Sequence, residues 1–151
     1  MGMGRRGEGY VVIQFLLFFA IAFAPSWGPL HALPVLRPIG AVLFALGALL
    51  GLWGLLALGR NLTPLPHPRD SNQLVQHGPY RIVRHPIYAA VLIGAFGYSL
   101  FRFSFLGLVL AILLLALFDF KTRREETWLV ERHPDYTEYR KRVRKLIPWV
   151  Y

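Results

Sequence analysis

Apolar and polar residues fall along this chain in long blocks. Residues 10–27 and 38–58 carry no charge, and residues 87–118 carry only Arg102. A helix needs about 20 predominantly apolar residues to cross a hydrocarbon core. The first two blocks therefore predict membrane helices over about 10–25 and 36–59. The third is long for one span and is broken at Phe101-Arg102-Phe103-Ser104. An arginine at mid-bilayer is expensive, so the break predicts a hairpin of two short helices, 86–101 and 103–131. One long helix bent at the same place is the alternative. The fourth helix is predicted to continue beyond the membrane, because Asp119 to Glu131 holds no Gly or Pro and many helix formers. Pro134 would end it. Tyr136, Tyr139, Val143 and Leu146 then recur at helical spacing, which predicts an amphipathic helix over 135–145. It would lie along the interface with Ile147, Trp149 and Tyr151 as anchors.

The fold class expected is all-α. Residues 1–151 form a single integral membrane domain, a polytopic helical bundle of about four transmembrane helices plus a C-terminal interfacial helix. Gly47-x-x-x-Gly51 in the second helix is a small-xxx-small pattern that lets another helix approach closely, although glycine is common in membrane helices anyway. Residues 60–86 form the polar loop between the second and third helices. Prolines at 64, 66, 68, 79 and 86 preclude a continuous helix. Leu74, Val75, Tyr80, Ile82 and Val83 anchor the loop, so it is expected to be an extended strip in the headgroup layer. Pro86 falls at the first turn of the third helix, where proline is tolerated.

Hydrophobic residues make up 55% of the chain and there is no cysteine. A disulfide framework, thiolate metal sites and a cysteine nucleophile are thereby excluded. The net charge is +9, but its arrangement does not suggest nucleic acid. In a four-helix topology, fifteen of the seventeen Lys and Arg lie on the side of the termini and the middle loop; only Arg37 and Arg102 lie opposite. The positive-inside rule places that side, with both termini, in the cytoplasm. The basic tail would meet anionic lipid headgroups. Arg5 and Arg6 precede the first apolar block as in a leader, but Ala24-Pro25-Ser26-Trp27 is a poor cleavage site. The block is taken as a retained helix.

Two segments could carry chemistry. Arg84 and His85 stand just before the third helix, whose free N–H groups and dipole favour an anion. Arg84 would serve equally to bind lipid phosphate, and Tyr88 to sit in an aromatic belt. Glu125 and Glu126 are adjacent carboxylates at a membrane boundary. They suit a cationic ligand, or are ordinary i,i+4 partners such as that of Lys121 with Glu125. Asp119 faces either a cavity or the interface. The histidines at 31, 67, 77, 85 and 133 form no i,i+4 pair, so no metal site is expected.

The ordered motifs carry a resemblance. Leu74-Val75-x-x-Gly78-Pro79-Tyr80-x-x-x-Arg84-His85-Pro86-x-Tyr88 is followed by an apolar hairpin, then Glu125-Glu126-x-x-Leu129, Tyr136-x-x-Tyr139 and Ile147-Pro148. In this order they resemble the isoprenylcysteine carboxyl methyltransferase and phospholipid methyltransferase superfamily over residues 60–150. Residues 1–59 match only as hydrophobic helices. The resemblance implies an integral membrane enzyme that uses S-adenosylmethionine and releases S-adenosylhomocysteine. It implies that Asn72, Gln73, Leu74 and Val75 line the cofactor pocket. Tyr80, Arg84, His85, Pro86, Ile87 and Tyr88 would hold the cofactor from one side and Glu125 from the other, with Glu126 and Arg132 as catalytic residues.

The expected acceptor is a lipid or other lipophilic small molecule reached from the bilayer, and a homo-oligomer is compatible with so few helices. The chain departs from the family pattern in two places. Lys121 stands four residues before Glu125, where the eukaryotic enzymes have a substrate-contacting arginine, and His133-Pro134 replaces Phe-Gly. A non-catalytic module that keeps the fold, and a nicotinamide-dependent reductase, are the other readings.

Overall fold

The computed structural model describes residues 8–59, 74–148 and 150–151, and these are helical with no extended strand. Five α-helices follow one another: α1 (Glu8–Ala22), α2 (Leu36–Leu58), α3 (Pro86–Phe101), α4 (Phe105–Arg132) and α5 (Tyr136–Arg142). Among the described residues, α2 and α4 are long and apolar enough to cross a membrane; α1 and α3, of 15 and 16 residues, are apolar but shorter. The most apolar window of α2 has a mean hydropathy of 2.4, yet only 11% of it is buried. Phe15, Leu16, Phe19, Val42, Leu49, Leu56 and Ile112 all point outward. A water-soluble domain does not leave this much contiguous apolar surface bare; a lipid-facing one does.

α2 and α3 pack antiparallel along glycines. A Cβ on Gly40 would lie 2.4 Å from the Phe101 amide nitrogen, and one on Gly47 would lie 2.7 Å from that of Gly94. Across the seam, a Cβ on Gly97 would meet the Phe44 nitrogen at 2.5 Å. The rail is thus Gly40–Gly47–Gly54, spaced by seven residues, and this corrects the expected Gly47–Gly51 pattern. A Cβ on Gly51 makes only an ordinary 3.5 Å contact with Ala90.

α3 and α4 form a hairpin. Phe103 takes a positive φ of 52° at the turn. The Ser104 side chain then caps α4 by accepting from the Gly107 N–H at 3.0 Å. With 28 residues α4 is about 42 Å long, more than the ~30 Å of a hydrocarbon core. Its uncharged stretch ends at Phe118, and the charged turns that follow project past it.

α1 lies against α4, and Lys121 Nζ donates to Gln14 Oε1 at 2.8 Å. The start of α1, the end of α2, the start of α3 and the projecting end of α4 therefore share one end of the bundle. The opposite end holds the α1–α2 connection, where the His31 ring faces Phe103 at 5.0 Å.

The C-terminal segment differs from the expected interfacial helix. α5 stops at Arg142, and the chain then runs extended, with Arg144 bridged in parallel to Val83. Arg84 N–H donates to Arg144 O at 2.7 Å and His85 N–H to Lys145 O at 3.1 Å. Tyr136, Tyr139 and Leu146 are buried, so the apolar face of this segment closes on the protein. Tyr151 also turns inward, its hydroxyl bonded to Asp119 and its carbonyl accepting from Leu146 and Ile147 N–H. Trp149 lies outside the described residues.

Candidate active site

The strip before α3 is fixed from both sides. Gly78 takes φ +59° and opens a single 3-10 turn, Gly78–Arg81. A Cβ there would press on Trp53 Nε1 at 3.3 Å, so glycine serves both the backbone and the approach to α2. Tyr139 Oη donates to Tyr80 O at 2.5 Å, which ties α5 to that turn. Leu74 and Val75 are half-buried at the start of the strip; Asn72 and Gln73 lie outside the described residues.

The strip delivers His85 and Tyr88 onto the projecting end of α4. Tyr88 Oη donates to Glu125 Oε1 at 2.5 Å. His85 Nδ1 lies 3.6 Å from Glu125 Oε2, and His85 Nε2 lies 3.1 Å from Glu126 Oε1. The His85 ring stacks beside Tyr88, which in turn rests on Phe118. Two segments some forty residues apart thus meet through buried polar groups.

The two glutamates have different surroundings. Arg84 Nε donates to Glu126 Oε1 at 2.8 Å, Arg140 Nε is 3.6 Å from Oε2, and Arg84 also donates to the carbonyls of Arg140 and Val143. Burial alone would raise the Glu126 carboxyl, but the hydrogen bonds from His85 and Arg84 and their charges hold it down to about 2. Glu125 is pushed above the ordinary carboxylate range by burial, against the pull of His85, Tyr88 and Lys121. Glu126 is a fixed anion in a closed clamp. Glu125 is a largely enclosed carboxylate that, among the described residues, has no full cationic partner in hydrogen-bond contact.

Arg84 is accordingly not a free cation beside the α3 N-terminus, as the sequence suggests; it is turned onto Glu126 and α5. Pro86 and Ile87 pack towards Gly54 of α2. Ile87 lines an apolar groove of about 660 Å³ between α1, α2 and α3, which runs from Leu55 to Phe44 and Tyr98. Arg132 is on the last turn of α4, half-buried and about 9 Å along the axis from Glu126.

The sequence offered Lys121 as an i,i+4 partner of Glu125 and as a departure from the family's substrate-contacting arginine, but not as a site residue in its own right. It is almost wholly buried, with its ammonium 5.0 Å from the Tyr88 ring centroid and one turn before Glu125. Its position at the boundary between apolar and charged sequence, in register with Glu125, is the signal that could have found it.

The fold is that of the intramembrane methyltransferases. A solved structure of the eukaryotic intramembrane Ras methyltransferase, isoprenylcysteine carboxyl methyltransferase, superimposes with a TM-score of 0.67 at 25% identity, covering 99% of this chain and 55% of that one. The chain belongs to the phospholipid methyltransferase family, whose model matches residues 36–135. It is 28% identical over 116 residues to a probable protein-S-isoprenylcysteine O-methyltransferase of Oryza sativa subsp. indica, covering 74% of this chain and 61% of the relative. It is also 28% identical over 145 residues to the cobalt-zinc-cadmium resistance protein CzcN of Cupriavidus metallidurans, covering 95% of this chain and 63% of that protein. The chain thus spans less than two thirds of the length of these relatives.

Proposed function

We propose that this chain is an S-adenosylmethionine-dependent methyltransferase that acts on a lipophilic acceptor at the cytoplasmic face of the membrane. The observation that carries the reading is the meeting of His85 and Tyr88 with Glu125 at one end of an apolar bundle. In this topology α1 to α4 all span, the shorter α1 and α3 included, and both termini are cytoplasmic. The start of α1 and the projecting end of α4 lie together, and the cationic side chains cluster at that end.

The residues present fit the cofactor's chemistry. S-adenosylmethionine would supply an electrophilic methyl on a cationic sulfonium. Glu125, largely enclosed and short of a cationic partner among the described residues, suits a cationic ligand. Tyr88 orients that carboxylate by a hydrogen bond. The N–H groups of the first turn of α3 are available to an anionic end of the ligand. Glu126 and Arg84 contribute by holding the strip against α4. With its carboxyl held near 2, Glu126 is a poor proton acceptor at neutral pH.

An acceptor carboxylate would need no base. An amine or thiol would lose its proton more readily to Glu125, whose carboxyl is raised by burial. The apolar groove that begins at Leu55 and Ile87 supports a lipophilic acceptor entering from the bilayer. The chain's main contribution is then proximity and exclusion of water.

Calorimetric titration of the purified chain with S-adenosylhomocysteine tests the reading. Saturable heat in the wild type that is lost in Glu125→Ala is the expected result. No heat in the wild type would remove the enzyme reading and leave a module that keeps the fold without the cofactor.

A further inference from the structure

A second cavity, of about 760 Å³, lies on the Glu126 side of α4, enclosed by α5 and the segment that follows it. Five cations line it, namely Arg84, Arg123, Arg140, Arg144 and Lys145, against two carboxylates, Glu126 and Glu131. Most of this charge is already placed. Arg84 is bound to Glu126, while Lys145 Nζ and Arg123 Nε reach Asp119, just outside the cavity, at 2.6 and 2.8 Å. Two guanidinium groups are left with charge to give. Arg140 touches Glu126 only at 3.6 Å and is more than half exposed. Arg144 is exposed and, among the described residues, its side chain makes no ion pair. The backbone around them is pinned, because Arg144 O and Lys145 O accept from Arg84 and His85 N–H. The surplus charge therefore sits on a fixed frame.

The cavity also has a defined depth. α4 becomes polar at Asp119, and the lining residues of α4 run from Arg123 to Glu131. The lining begins in the second turn past the apolar stretch, at the level of the headgroups. Val130 and Val150 add apolar wall, while the Thr127 hydroxyl donates to Arg123 O at 3.1 Å. Two guanidinium groups with surplus charge lining one cavity match the oxygens of a phosphate.

We propose that this cavity binds a phosphate group, presented by an acidic phospholipid headgroup, with Arg140 and Arg144 as its ligands. The site is distinct from the Glu125–Tyr88 side of α4 and does not depend on methyl transfer. It is joined to that side through Arg84, Glu126 and His85, so an occupant that draws Arg140 away from Glu126 would touch the clamp that holds the strip.

Native mass spectrometry of the detergent-purified full chain tests this with phosphatidylglycerol, phosphatidylcholine and inorganic phosphate as probes. Both lipids present the phosphodiester, so the preference reads the choline cation, which the two surplus guanidinium charges repel; it should be about tenfold in favour of phosphatidylglycerol. Arg140→Gln with Arg144→Gln should abolish that preference, Arg144→Lys should keep most of it, and Arg37→Gln at the opposite end should leave it intact. Both residues are exposed, so an unchanged unfolding midpoint should accompany the loss. Displacement of the bound lipid by millimolar phosphate would identify the free anion as a sufficient source of the same group; resistance to it would identify the headgroup in its lipid setting. Equal retention of the two lipids by the wild type, or an undiminished preference in the folded double variant, would overturn the proposal.

Discussion

His85 Nδ1 lies 3.6 Å from Glu125 Oε2, while the other ring nitrogen lies 3.1 Å from Glu126 Oε1. One imidazole thus bridges both members of the acidic pair. It divides the end of α4 into a side where Glu126 is locked and a side where Glu125 is available.

Glu125→Gln should weaken binding of S-adenosylmethionine more than that of S-adenosylhomocysteine, because only the former carries the sulfonium charge. Loss of a charge-assisted contact in a buried site corresponds to about 10- to 100-fold. Parallel titrations of wild type and variant with the two compounds measure it. Equal weakening would mean that Glu125 contributes shape or a neutral hydrogen bond instead of charge.

Removing one partner of the Arg84–Glu126 pair should destabilise the fold itself. The side chains are 9% and 6% exposed, and breaking a buried ion pair by truncating one partner costs about 3–5 kcal/mol. Arg84→Ala should lower the unfolding midpoint markedly. The paired replacement Arg84→Met with Glu126→Leu should recover part of the loss, because no charge is left stranded. A double variant no better than the single one would show that the bonds from Arg84 to the Arg140 and Val143 carbonyls dominate.

The two glutamates predict opposite pH responses. Glu126 has a carboxyl held down to about 2 by its folded environment. Its contribution to stability should be complete above the ordinary carboxylate range and should disappear as the pH falls from there towards about 2. Glu125 is raised by burial. The folded site therefore keeps a proton that the unfolded chain gives up, and Glu125 should subtract stability as the pH rises from the ordinary carboxylate range to its raised folded value. A cationic ligand reverses this by favouring the carboxylate, so its binding should release protons. Titrations in buffers of differing ionisation heat report that release, and Glu125→Gln should remove it.

Gly47→Val should separate α2 from α3, because its first added atom alone would lie 2.7 and 2.8 Å from backbone atoms of Gly94 and Ala90. Overpacking of this kind costs about 1–3 kcal/mol or more. Gly51→Ala, with 3.5 Å to the nearest atom, should be nearly neutral. Thermal unfolding in one detergent compares them directly.

A reporter fused after Tyr151 should read cytoplasmic, and one inserted near Leu33 should read on the opposite side. The same reading at both places would remove the four-span topology.

The sequence by itself determined the elements whose cause is local. Apolar runs without charge could only be lipid-facing or core helices, and the charge at Phe101-Arg102-Phe103-Ser104 favoured a hairpin over one bent span. The hairpin at Ser104 and the projection of α4 past Phe118 followed from the residues at those positions. The motifs around His85 and Glu125 were also readable, since their order survives in one dimension. The tertiary structure decided what depends on which faces meet. Gly40 and Gly54 were visible as glycines, but only the antiparallel crossing of α3 made them a rail with Gly47 and left Gly51 aside. Tyr136 and Tyr139 were visible as an apolar stripe, and nothing local could say whether lipid or the 78–85 strip would cover it. Arg84 had the charge to meet an anion, yet Glu126 and the carbonyls of Arg140 and Val143 lay nearer once the chain had folded back. Short-range sterics and hydropathy act on neighbours along the chain and leave a trace there. The pairing of buried charges is settled by distance in space, where a difference of a few ångströms decides which partner an arginine keeps.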